Sequence, residues 1–191
     1  MLRWLWSKVF TEKMVNIIIP IAAIKISQTR IFFIMFHAFF IFAFFLSINA
    51  VALANLGVES TVFTVVPDNS LGKSVLRMLR SNNVNCAPVI LSTPEQPPPS
   101  HRLGVYFLET GFGVRSSQVV YDRKHSAFVE YDYSRLDVER LLDGHDWLHL
   151  SGITPALGKN CADLILICLK VAKEKGVTVS FDGNFRSTLW T

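Results

Sequence analysis

Two groups of residues have the types and spacing to grip an acidic, hydroxyl-rich ligand. Asp182, Asn184 and Arg186 follow a run of β-branched residues as D-x-N-x-R, and on extended backbone their side chains leave one face. A guanidinium fork pairs bidentately with a carboxylate or phosphate, Asn orients a hydroxyl or phosphate oxygen, and Asp takes a hydroxyl or a hydrated metal. The same string also reads as a polar loop with a turn-forming Asn. The second group is Tyr106, Tyr121, Asp122 and Arg123. Tyr121 and Arg123 are two apart on a predicted strand and share a side, which sets a phenol beside a cation in a cup suited to a polyhydroxy acid. Ordinary cross-strand pairing on a surface is the competing account.

Other chemistry is thinly signalled. His145 and His149 flank Trp147, but no carboxylate or cysteine follows at metal-ligand spacing. Cys86, Cys161 and Cys168 form no C-x-x-C pair, and the last two read as small buried apolar side chains in a reducing compartment. The phosphate-binding P-loop, the G-x-G-x-x-G turn and the G-x-S-x-G elbow are all missing. The net charge of +4 over 191 residues arises in residues 1–48, which carry five Lys/Arg and one Glu, so the remainder is balanced. A neutral body with no basic stripe gives no ground for a nucleic-acid partner.

The elements that must position these residues begin after a compositional break near residue 48. Before it, residues 31–48 (IFFIMFHAFFIFAFFLSI) have only His37 and Ser47 as polar residues, the length at which a transmembrane helix is predicted. Lys25 and Arg30 in front of that run would keep the N-terminus in the cytoplasm. A membrane anchor, a signal peptide and non-native sequence fused to a globular body remain alternatives for this apolar helical segment. Residues 49–191 alternate as an α/β domain. AVALANLG ends a helix at Gly57, STVFTVV forms a strand to Pro67, and Leu71, Val75, Leu76 and Leu79 mark the inner face of a helix. After the proline-rich loop 92–101, GVYFLE and SQVVYDR are predicted as strands about a Gly-bearing turn, with SAFVEY a third, giving a small lid over about 103–131. A short helix is predicted over 135–142, begun by Ser134 and Asp137, followed by the strand HDWLHL. One helix with Thr154 as N-cap runs on toward Gly176, and then comes the strand VTVSFD. Strand, helix, strand implies a right-handed parallel crossover in an open sheet. Ligands gather beyond the carboxyl ends of such strands, here Ser151–Pro155 and Asp182–Arg186.

The strings NAVALANLGVES, PDNSLGKSVLRMLRSNNV, LGVYFLETG, VRSSQVVYDRKHSAF, DGHDWLHLSGITPAL and VTVSFDGNFRSTLW resemble successive blocks of the ribokinase-like (PfkB) carbohydrate kinases. The last four resemble the 2-keto-3-deoxygluconate kinases among them. The resemblance implies a partial ribokinase-like open sheet with a small β-lid, and phosphorylation of a terminal hydroxyl of 2-keto-3-deoxygluconate with ATP and Mg2+. By the matching positions Tyr106, Tyr121 and Arg123 line the substrate cup, Arg186 holds the carboxylate, and Asn184 lies near the ATP phosphates. A cytoplasmic location and a homo-oligomer formed through the lid belong to the same expectation.

Departures from the family pattern are equally specific. The G-A-G-D anion hole and the catalytic Asp, which the family carries in its second half, have no counterpart here, and Asp182 does not fill that role. The family's N-terminal strand and Gly-rich sugar-binding segment are replaced by the apolar tract, and its substrate-contacting Asn falls at Ile48, one residue from Asn49. The expectation is a kinase fragment inactive alone. The alternative is a sugar-acid binding or decoy module tethered to a membrane through 31–48.

Overall fold

A computed structural model of the chain describes residues 30–34, 38–39, 44–93 and 102–185. In chain order the elements are strands β1 (Arg30–Ile34) and β2 (Ala38–Phe39), helix α1 (Phe44–Asn55), strands β3 (Glu59–Phe63) and β4 (Val65–Pro67), helix α2 (Ser70–Ser81) and strand β5 (Ile90–Ser92). There follow strands β6 (Gly104–Glu109) and β7 (Gln118–Asp122), helices α3 (Ala127–Glu130) and α4 (Val138–Leu141), strand β8 (Trp147–Ser151), helices α5 (Ile153–Ala156) and α6 (Lys159–Lys175), and strand β9 (Thr178–Asp182).

The central sheet has the order β3-β1-β8-β9 and is parallel throughout. Such a sheet needs cover on its faces. Leu148 and Leu150 of β8 point into a core shared with Phe63, Phe128 and the Cys161, Leu164, Ile165, Cys168 and Ala172 stripe of α6. A second core joins Val62, Val66, Val75, Leu79 and Val84 between β3, β4 and α2. Each fully buried aliphatic or aromatic side chain contributes about 1.5–3 kcal/mol. The ends of the helices follow from their sequence. Asn69 caps α2 by accepting from the Leu71 and Gly72 amides, both at 3.0 Å, and α6 stops at Gly176, left-handed at φ +69°.

The apolar tract is where expectation and structure part. The predicted helix over 31–48 is instead a strand, β1, hydrogen-bonded on both sides to β3 and β8, then the short β2, which pairs parallel to β6. The described helix α1, from Phe44, continues through the compositional break at 48 to Asn55, and residues 35–37 and 40–43 of the predicted helix lie outside the described residues. A continuous apolar run has no period, so it fits a strand buried on two sides as well as a helix, and pairing decides. Among the described residues no helix is long and apolar enough to cross a membrane.

Four smaller corrections follow. The predicted strand to Pro67 divides at Thr64, after which β4 leaves the central sheet to pair with β5. The predicted third lid strand SAFVEY is the short helix α3, whose Ala127 and Phe128 are buried in the main core rather than in the lid. The single helix starting at Thr154 is two, because the chain passes through Gly158 at φ +149°. The helix predicted over 135–142 is shorter: a 3-10 turn at Tyr133–Arg135 precedes α4, with Asp137 as its cap.

Candidate functional site

The carboxyl ends of β8 and β9 meet backbone to backbone. The Gly152 amide donates to the Asp182 carbonyl at 2.8 Å, and a Cβ at Gly152 would lie 2.2 Å from the Gly183 carbonyl oxygen, so only glycine permits this approach. Beyond it the chain turns. The Asn184 amide donates to Asp182 Oδ1 at 3.1 Å, and Asn184 itself is left-handed at φ +33°. The extended alternation read from D-x-N-x-R therefore ends at Asp182: the carboxylate of Asp182 is engaged in a local turn, as the competing account of this string had it. Arg186 lies outside the described residues.

Behind this turn lies a polar array on one face of the two strands. Ser180 stands opposite His149 in the register of β8 and β9; its Oγ accepts from the Trp147 indole at 2.8 Å and lies 2.7 Å from His149 Nδ1. Burial pushes the His149 pKa down, and the nearby Asp182 carboxylate partly opposes that shift, so the ring is held neutral. His145 is engaged elsewhere, with Nε2 3.1 Å from Thr61 Oγ1. Among the described residues no group of His, Cys, Asp and Glu could hold a metal ion. Burial drives the Cys161 and Cys168 thiols up to about 12, which keeps them protonated and unreactive.

The lid brings its three expected residues together. Tyr106 and Tyr121 are directly opposed in the antiparallel β6–β7 pair, with ring centroids 6.0 Å apart, and the Arg123 guanidinium sits 4.1 Å from the Tyr121 ring centroid. The cross-strand pairing of the competing account is therefore present, with Arg123 stacked on it. Tyr106 is 9% exposed, and its buried hydroxyl has no hydrogen-bond partner among the described residues. Burial and the neighbouring Tyr121 raise its pKa while Arg123 lowers it, so the phenol stays a neutral donor. A buried hydroxyl without a partner is costly, and a ligand oxygen at that point would remove the cost.

Sequence spacing did not disclose Ser180 or Arg102. Ser180 becomes a partner of His149 only through parallel register, and Arg102 meets Asp122 across the two strands of the lid.

Residues 49–191 match the pfkB family carbohydrate kinase domain, and the chain belongs to that family. It is 33% identical over 142 residues to a 2-dehydro-3-deoxygalactonokinase of Haloferax volcanii, covering 74% of this chain and 42% of that protein. It is 31% identical over 150 residues to a 2-dehydro-3-deoxygluconokinase of Bacillus subtilis, covering 74% and 41%. The crystal structure of a 2-dehydro-3-deoxygluconokinase from Thermotoga maritima superposes with a TM-score of 0.74 at 36% identity, covering 85% of this chain and 53% of that one. The chain thus spans about two fifths of the length of these curated relatives. The family match starts at residue 49, yet one of the two inner strands of the sheet comes from Arg30–Ile34.

Proposed function

We propose that this chain carries the sugar-acid grip of a 2-keto-3-deoxygluconate kinase and, by itself, binds the sugar acid without phosphorylating it. The observation that supports this is the Tyr106 hydroxyl, buried and unsatisfied beside Tyr121 and Arg123. A phenol donor and a cation on one lid face suit a ligand with hydroxyls and a carboxylate. The names of the two curated relatives differ only in the sugar stem, gluconate or galactonate, so the shared 2-oxo-3-deoxy acid is the chemistry to test. In this reading Arg186 takes the carboxylate and Asn184 would lie near the phosphates of ATP, which with Mg2+ would supply the phosphoryl group in a complete kinase. The catalytic base and anion hole have no counterpart in this sequence, so transfer does not occur on this chain alone. A cytoplasmic location, where ATP is found, goes with this reading. So does association through the lid, whose outer face leaves Phe107 59% and Val120 52% exposed.

Titration calorimetry with 2-keto-3-deoxygluconate tests the grip. Binding is expected for the unaltered chain, weakened about tenfold in Tyr106→Phe and more in Arg123→Ala. Equal affinity in all three overturns the assignment. ATP-dependent turnover above blank by the chain alone overturns the claim that transfer needs groups it lacks.

A further inference from the structure

Arg123 follows the last residue of β7, where the ladder to β6 has ended and backbone pairing no longer fixes its direction. Its neighbours on either side are nevertheless held, and by one residue. Arg102 Nη1 donates to Asp122 Oδ1 at 2.8 Å and to the Lys124 carbonyl at 2.7 Å, while Nη2 donates to the Asp122 carbonyl at 3.1 Å and pairs with Asp122 Oδ2. These acceptors bracket Arg123 in the sequence. Arg102 is in turn fixed to the body, since its carbonyl accepts from the Ala127 amide at 2.9 Å and the next residue, Leu103, is buried in the second core.

We infer that Arg102 is a positioning residue for the lid's sugar-acid grip: by clamping the backbone at 122 and 124 and the Asp122 carboxylate on the outer face, it turns Arg123 onto the inner face against Tyr121. The geometry carries this because successive residues of extended chain alternate faces, so fixing Asp122 outward sets Arg123 inward. A planar guanidinium can serve a carboxylate and two carbonyls at once, and an ammonium cannot reproduce that fork. A surface ion pair of this exposure contributes little to overall stability. Its consequence is direction.

This inference rests on the proposed reading of Arg123 as a ligand contact, and the test separates the two. In the unaltered chain, NMR of the ligand-free protein is expected to show Arg123 side-chain protons displaced by the Tyr121 ring current. In Arg102→Lys that displacement collapses while the resonances of Leu148 and Leu150 stay in place, and affinity for 2-keto-3-deoxygluconate falls about tenfold although the positive charge is retained. Asp122→Asn, which keeps the carbonyl contacts, gives an intermediate displacement and decides the matter should the first variant not fold. An unchanged ring-current displacement in the folded variants overturns the inference. If the unaltered chain binds no sugar acid, the proposed function fails, and the ligand-free spectra still decide whether Arg102 orients Arg123.

Discussion

β7 and β8 are both five-residue strands, and they sit in opposite environments. β8 is hydrogen-bonded to β1 on one side and β9 on the other, and its Leu148 and Leu150 are wholly buried. Among the described residues β7 pairs only with β6, and all five of its residues are exposed. The first strand is held by apolar burial on a sheet covered by α6, the second by one ladder, one aromatic pair and the Arg102 fork at its root. Local stability follows burial, so the lid belongs to the low-stability end of the molecule and the sheet to the high end.

The most severe way to break this contrast is to remove residues 1–39. That deletion takes out β1, which is paired on both sides, and is expected to abolish cooperative urea unfolding although the family match begins only at residue 49. Next in size, Leu148→Ala is expected to cost about 2–5 kcal/mol by urea denaturation, as a cavity opens between β8 and α6. Tyr133→Phe leaves the Phe128 carbonyl without its buried donor at 2.6 Å and is expected to cost about 1–2 kcal/mol in the same measurement.

A pH titration sharpens the comparison within the sheet. Because burial lowers the His149 pKa below its ordinary value near 6.5, the unfolded chain takes up that proton before the folded one. The contribution of this site is therefore fully present above that value and declines as the pH falls below it. Urea midpoints measured from pH 7.5 to 5 should drop less in His149→Gln than in the unaltered chain. The smallest effect belongs to the lid: Phe107→Ala, on the exposed outer face of β6, is expected to change stability by less than about 0.5 kcal/mol. Hydrogen exchange should show β7 amides exchanging far faster than those of β8 whatever the variant.

Much of this arrangement is readable along the chain. WLHLS and TVSFD are strands because β-branched and alternating apolar residues precede turn signals, and the antiparallel lid pair follows from two such runs about a Gly-bearing turn. The strand period of two placed Tyr121 and Arg123 on one side, whereas Tyr106 joins Tyr121 only through the β6–β7 register. At Asp182–Asn184 the residue types were legible but their direction was not, because Asn adopts a left-handed turn as readily as an extended link.

What residue order alone determined is therefore local: periods, caps, the turn between the lid strands, and the family to which they add up. The tertiary structure alone decided that RIFFI is a central strand, that Val65–Pro67 leaves one sheet for another, and that Arg102 reaches Asp122 and Lys124. Each of these depends on a partner distant in sequence. An apolar run without a period is equally content as helix or strand until neighbouring strands offer it their backbone hydrogen bonds.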